Sequence, residues 1–393
     1  MREINVKEEA QNLYERMVSL RREFHAHPEL SLREFETAER IERELDKLGI
    51  AHERVGETGV MGVIRGTGEG TSGRVVALRA DMDALPIEEK TGAVYASLNT
   101  GCMHACGHDS HVTSLLGAAE ILKRHEKDFT GEIRLCFQQG EEIGAGARIW
   151  AKSGALDGVY RVLGIHTAPD IEVGHIGLHV GTTFATVDKF TIEVQGVPAH
   201  AASPEEGVDA LYIASQIVVN LQATVSRRTS PTEPVLMNIG TMQAGTSYNI
   251  VASGAVIEGT TRCINNEARA RVRETMETIA KSTATAFGGS VTIKWQDFAD
   301  PVINPEANVK EVSIFAENVL GTGAVVDRPM SMMGDDFCEF LKKVPGVYAF
   351  TGTGNVNRPE TRLVHHNDHF EIDEAGMVSA AALYAKSALE WLK

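Results

Sequence analysis

Ten consecutive residues, Cys102-Met103-His104-Ala105-Cys106-Gly107-His108-Asp109-Ser110-His111, carry six side chains able to bind a metal ion. A closed structural zinc site draws four Cys or His ligands from looser spacings such as C-x2-C. Here the ligands crowd too closely for all of them to reach one ion, and the run precedes a predicted helix, so a catalytic centre is the better reading. Glu141-Glu142 follows a predicted strand. Adjacent carboxylates on extended chain point to opposite sides, so one can bind an ion while its neighbour faces a water. That division suits hydrolysis, in which an ion polarises the water and a carboxylate takes its proton. His166 comes directly after another predicted strand, and Val364 to Phe370 holds His365, His366 and His369. Asp81 and Asp83 also follow a buried strand, where a carboxylate can orient a ligand histidine. Any one of these is an ordinary loop residue. Together, arriving from separate strand ends, they read as one convergent site. No G-x-S-x-G elbow, P-loop or complete G-x-G-x-x-G competes with it.

The surrounding pattern is that of an α/β protein. Residues 6–50 read as two helices, with Ser31-Leu32-Arg33-Glu34 as a capping box and Gly49 as a C-terminal stop. Beyond them, the apolar runs at Val75–Leu78, Ile133–Phe137 and Arg161–Ile165 alternate with helical periods at Ser110–Lys123 and Ala145–Lys152. Such alternation predicts βαβ units and a mostly parallel sheet with helices on both faces. The grammar changes near Val187. Lys189–Val194 alternates polar and apolar residues, and Ser203-Pro204-Glu205-Glu206 opens a helix running to about Ser226. Strands at Val235–Gly240 and Ala255–Arg262, a helix at Glu267–Phe287 and a strand at Val291–Trp295 complete a β-α-β-β-α-β, ferredoxin-like order. The tail returns to α/β grammar and ends in a helix over Glu374–Leu392. Residues 1–186 and 297–393 are therefore expected to form the catalytic domain, interrupted by an α+β domain at 187–296.

Composition sets outer bounds. The 393 residues exceed one ordinary core and predict two or three domains. The net charge of −16 argues against a nucleic-acid or anionic-membrane binder. Five cysteines give no disulfide framework. Met1 to Gln11 is charged and lacks an apolar core, and no apolar run reaches membrane-spanning length, so a cytoplasmic protein is expected.

The motifs Leu78 to Pro86, Met103-His104-Ala105-Cys106-Gly107-His108-Asp109, Glu141-Glu142, Gly164-Ile165-His166 and His200-Ala201-Ala202 occur in an order that resembles one family. It is the di-metal aminoacylase and carboxypeptidase superfamily, of acetylornithine deacetylase and glutamate carboxypeptidase type. The chain is most similar to the branch of amino-acid-conjugate amidohydrolases, which act on hippurate, N-acyl amino acids and indoleacetyl amino acids. The likeness covers nearly the whole chain. It implies a zinc-exopeptidase-like catalytic fold with a lid and dimerisation domain inserted. It also implies two divalent ions, zinc or manganese with cobalt usable in vitro, and an N-acyl amino acid substrate. Carried over by position, Cys106 would bridge the ions, with His108 and His166 completing one ligand set and Glu142 and His366 the other. His366 is preferred to His365 because it stands four residues before Phe370. Glu141 would be the general base that later protonates the leaving amine. His200 would reach a partner subunit's site and steady the oxyanion, which makes a homodimer the expected assembly. Asn249 and Arg262 would grip the substrate carboxylate, and Gly352 and Thr353 resemble a loop whose backbone assists. A glutamate-releasing carboxypeptidase, acting on aminobenzoyl-glutamate or short peptides, is the second reading, and an inactive homologue the third. The chain departs from the family beside its ligands, with Gln139-Gly140 in place of Pro-Ala, Asp368 in place of Pro, and Ile250-Val251 after Asn249.

Overall fold

The structure is a computed structural model that describes residues 4–69 and 72–393. The first three residues of the charged N-terminal stretch lie outside it. Three helices open the chain, α1 (Val6–Asn12), α2 (Tyr14–Ala26) and α3 (Phe35–Leu48), and Gly49 closes the third in the left-handed conformation at φ 65°. Strands β1 (Ala51–Val55), β2 (Gly59–Arg65) and β3 (Val75–Asp81) follow, then α4 (His108–Arg124), β4 (Glu132–Gln138), α5 (Gly146–Ser153), β5 (Val159–Glu172) and β6 (Ile176–Leu178). A short strand, β7 (Gly181–Phe184), leads into β8 (Val187–Gln195), α6 (Ala210–Ser226), β9 (Val235–Ala244), β10 (Gly254–Cys263), α7 (Asn266–Ala286) and β11 (Ser290–Ala299). The return path is β12 (Val302–Asn304), α8 (Glu306–Leu320), β13 (Val325–Asp327), α9 (Cys338–Leu341), β14 (Gly346–Gly354) and α10 (Gly376–Trp391).

The chain divides into two compact units. One comprises the chain through Thr183, Ile303–Pro329 and Asp335–Lys393; the other comprises Phe184–Val302 and Met330–Gly334. The first unit is built on an eight-stranded sheet of order β1-β2-β4-β3-β5-β14-β6-β13. Its centre, β4-β3-β5-β14, is parallel throughout. These strands are apolar and buried on both faces, as helix-covered parallel strands must be. Leu78, Leu163, Val347 and Ala349 on the sheet share a core with Leu115, Leu122, Leu383 and Trp391 on the covering helices α4 and α10. The second unit has an antiparallel sheet of order β11-β8-β10-β9, the ferredoxin-like arrangement of a β-α-β-β-α-β chain. The inward residues Phe190, Ile192 and Val194 of β8 pack on Ile213, Ile217 and Leu221 of α6 and Met276 of α7.

Two helix starts differ from expectation. The capping box at Ser31 does not form. The Ser31 hydroxyl donates to Asp83 Oδ2 at 2.6 Å, and the α3 N-cap is Glu34, whose carboxylate accepts from Thr58 Oγ1, Leu32 N and Gly140 N. Ser203-Pro204-Glu205-Glu206 opens only a 3-10 turn; α6 begins later, where Asp209 accepts from the backbone of Leu211 and Tyr212. The first expected helix is also two, α1 and α2, divided at Leu13.

Candidate dinuclear metal centre

Several of the catalytic-unit candidates lie where α/β sites gather, at or just past the carboxyl ends of parallel strands, while β5 runs on to Glu172, beyond its expected end at Ile165. β3 ends at Asp81, β4 delivers Glu141 and Glu142 after a short turn, and His166 lies within β5. Cys106 and His108 flank Gly107, the N-cap of α4, at φ 86°. A side chain there would be strained, and its Cβ would stand 2.8 Å from Thr167 Oγ1.

Two donor groups share Cys106. In the first, Cys106, His108 and His166 present ligand atoms within 4.8 Å of one another; in the second, Cys106, Glu142 and His366 do the same. Cys106 Sγ is 3.4 Å from His166 Nε2, His108 Nε2 is 3.8 Å from Glu142 Oε1, and His366 Nε2 is 3.4 Å from Glu142 Oε2. The outward lone pairs are prepared by hydrogen bonds on the opposite ring edge. His108 Nδ1 donates to the Asp83 carbonyl at 2.9 Å, and His166 Nδ1 donates to the Thr167 carbonyl at 2.8 Å. A carbonyl only accepts, so when the ring is neutral Nδ1 carries the proton and Nε2 the lone pair. Asp83 also accepts from the backbone N–H groups of Glu141 and Glu142, at 3.1 and 3.0 Å, and so fixes the carboxylate pair. His366 is held at φ 62°, an uncommon conformation for a non-glycine residue and of the kind that clusters at functional sites.

The donor set fits divalent cations. His108 Nε2 and Glu142 Oε1 are buried without a hydrogen-bond partner, and such orphaned atoms are costly unless something binds them. Burial, with Glu142 and Glu141 alongside, pushes the Cys106 thiol well above its ordinary pKa, so a thiolate there calls for a cation. Burial opposes the protonation of His108, yet Asp81, Asp83 and Glu142 raise its pKa to about 10. The site gathers the carboxyl groups of Asp81, Asp83, Glu141, Glu142, Asp335 and Asp336, and the Arg79 guanidinium bonds Asp81, Asp335 and Asp336 among them. The soft thiolate with imidazole and carboxylate suits a late divalent ion.

Glu141 shares one cluster with His108 and Glu142 and another with Asp335 and Asp336. Burial, then Asp335, Glu142 and Asp336, raises its proton affinity strongly. His365 turns elsewhere: its Nε2 is 3.4 Å from Thr167 Oγ1, and its ring lies 5.0 Å from that of His166. Of the six candidates in the 102–111 run, Cys102, His104 and Asp109 join no donor group among the described residues. Asp109 pairs instead with Arg21 and His25.

The remaining candidates divide between the units. In the second unit, His200 is exposed and its Nδ1 accepts from Ala202 N. His200 bridges Ile250, next to Asn249, whose side-chain oxygen accepts from Ser247. Arg262, on β10, has a buried Nη1 without a partner. In the first unit, the Gly352 N–H donates to the His175 carbonyl and the Thr353 carbonyl accepts from Asp373 N, so those two backbone groups are already engaged. A side chain at Gly352 would meet the Glu172 carbonyl at 2.1 Å.

The sequence reading passed over the layer beneath the ligands. Arg79 donates to Asp81 at 2.6 Å, Gln138 at 2.8 Å, Asp335 at 3.3 Å and Asp336 at 3.1 Å, and Tyr348 donates to Asp335. An arginine in the middle of an apolar strand, and a second acidic doublet at Asp335-Asp336, were the available signals.

Residues 77–390 match peptidase family M20/M25/M40. The chain belongs to this family. It is 40% identical over 377 residues to an N-acetyl-L-cysteine deacetylase of Bacillus subtilis (strain 168), covering 96% of this chain and 88% of that one. It is 32% identical over 387 residues to an IAA-amino acid hydrolase of Arabidopsis thaliana, covering 97% and 88%. A solved Bacillus subtilis structure, described as a dinuclear metal binding peptidase from the M20 family, matches with TM-score 0.84 at 35% identity, over 97% of this chain and 99% of that chain. As a member of the family the chain is an amide-bond hydrolase, and its mixed α/β fold is the family's.

Proposed function

We propose that the chain hydrolyses the amide bond of N-acyl amino acids, releasing a carboxylic acid and an amino acid. The observation that carries this reading is the pair of donor groups joined at Cys106, with Glu141 half-buried beside them. The relatives named deacetylase and amino acid hydrolase support the substrate class. Cys106, His108 and His166 would hold one divalent ion, and Cys106, Glu142 and His366 the other. When bound, the ions supply Lewis acidity toward the scissile carbonyl and the attacking water. Glu141 takes the water's proton and passes it to the leaving nitrogen. Its raised proton affinity suits a group that must both accept and return a proton. Asp83 holds Glu141 and Glu142 in register and takes the Nδ1 proton of His108 on its carbonyl, while Asp81 accepts from His111. Asn249 and Arg262 are the proposed carboxylate grip, with the unpaired Nη1 of Arg262 as the available donor. The thiolate favours zinc, with cobalt as a working substitute, and the carboxylate and imidazole ligands also accommodate manganese. Five buried cysteines, none of them in a disulfide, suit a reducing compartment such as the cytoplasm, and no helix of the described residues is long and apolar enough to cross a membrane.

The test is a panel of N-acyl amino acids, with aliphatic, aromatic and indole acyl groups, assayed on metal-stripped enzyme reloaded with zinc, manganese or cobalt. Cleavage of a subset, restored by metal, is the expected outcome. Cleavage of peptides or aminobenzoyl-glutamate alone would replace this substrate class with the carboxypeptidase one.

We further propose a homodimer formed through the inserted unit. Strand β9 is an edge of its sheet, and Leu236 and Met242 on β9 and Leu211, Tyr212 and Val219 on α6 are exposed, an apolar surface of the kind that pairs. His200 would then serve the partner's oxyanion. Sedimentation should give twice the 42.6 kDa chain mass, and His200→Ala should lower kcat without dissociating the dimer. A fully active monomer would remove the trans role of His200.

A further inference from the structure

His111 completes the metal-binding decad, yet the reaction gives it no task. It belongs to a donor group with Asp81 and His108, which could mark a third ion. Its hydrogen bonds exclude that use. The Thr167 backbone N–H donates to His111 Nε2 at 2.9 Å, so Nε2 carries the lone pair. The proton is then on Nδ1, which donates to Asp81 Oδ1 at 2.5 Å. Both nitrogens are spent, and the ring is fixed as one neutral tautomer.

What His111 holds is the junction between two proposed ligands. Thr167 accepts the Nδ1 proton of His166 on its carbonyl, and its Oγ1 donates to the Cys106 carbonyl at 3.2 Å. On the other side, Asp81 is anchored by Arg79 and lies 3.7 Å from His108 Nε2. The path Arg79–Asp81–His111–Thr167 therefore ties the buried base of the site to the backbone that aims His166 and Cys106. Glu142 and His366 are held by other groups, the Glu142 N–H by Asp83 Oδ2 and the His366 N–H by the Ala105 carbonyl.

We propose that His111 is a positioning residue for one of the two ions, the one assigned to Cys106, His108 and His166, and that it acts through Thr167 while keeping Asp81 out of the ligand set. The inference rests on the ligand reading given above. Metal-stripped protein is titrated with zinc(II) against a chromophoric chelator, for the wild type and for His111→Phe, His111→Gln and His111→Asn. Phe keeps a buried ring and removes both nitrogens, so one of the two dissociation constants should rise about 10- to 100-fold, while the other, whose ion shares only Cys106 with this path, should move far less. Gln can accept from the Thr167 N–H and donate to Asp81, and should recover most of the loss; Asn, one methylene shorter, should not. The proposal is overturned if both constants move together, if neither moves, if Gln behaves as Phe does, or if a third zinc ion binds the wild type. Should the Phe variant fail to fold, the Gln and Asn variants decide: a difference confined to one ion supports the role, and equal constants overturn it. A wild type that binds fewer than two zinc ions removes the ligand reading itself, and this inference with it.

Discussion

Glu141→Gln will lower kcat by about 10²- to 10⁴-fold, the usual contribution of a positioned acid–base group, while leaving two ions bound per chain. The substitution is nearly isosteric, and the backbone N–H of residue 141 stays bonded to Asp83, so the fold has no reason to move. What disappears is the proton acceptor. An amide cannot take a proton from water, nor return one to a leaving amine. KM should change little, because Glu141 belongs to neither proposed ligand set and to no proposed carboxylate contact. Glu142→Gln is the control: it changes a ligand in the Cys106 and His366 group and should lose one ion along with activity. Measuring kcat, KM and bound metal on both variants separates base from ligand. A Glu141→Gln enzyme that retains wild-type turnover would remove the base assignment.

Part of this site was legible in the sequence because its chemistry is local. Cys106 and His108 stand two residues apart at a helix start, and Glu141 adjoins Glu142, so spacing alone drew attention to them. The order of strands and helices was legible for the same reason: apolar periodicity is a local property, and the strand at Val75, the α4 helix and the alternation of β8 all followed it. Helix starts were read less well, because capping is a competition. Ser31 has the right type and spacing for a cap, but Asp83, 52 residues away, takes its hydroxyl. Gln139-Gly140, a departure from the family pattern, makes sense only in three dimensions. Gln139 is buried, its amide donating to the Val55 carbonyl and accepting from Trp150, and Gly140 turns at φ 61° to deliver the glutamates. Asp335 and Asp336 had no motif at all. Their meaning comes from Arg79, 256 residues away along the chain.

Arg79→Met will cost about 3–5 kcal/mol of stability in the metal-free protein, the penalty typical of stranding buried charge by removing one partner. Against a total of about 5–15 kcal/mol for ordinary domains, that is a large fraction. Arg79 is 2% exposed, and its guanidinium meets Asp81, Asp335 and Asp336, which are themselves buried. Met preserves most of the stem but leaves Asp81, Asp335 and Asp336 without the guanidinium that faces all three. Burial, with Asp335 adding to it and Arg79 opposing, already raises Asp336 to about 8, so losing Arg79 drives it further toward the neutral acid. Lys is no substitute, since one ammonium cannot span donors that a planar fork reaches at once. The measurement is thermal and urea unfolding of Arg79→Met, Asp335→Asn and the double variant. If charge stranding is the cause, the double variant will be more stable than Arg79→Met alone, because one of the uncompensated carboxylates is gone. Equal losses in the two Met-bearing variants would mean instead that Arg79 contributes by packing over Phe337, 5.6 Å from its ring centroid.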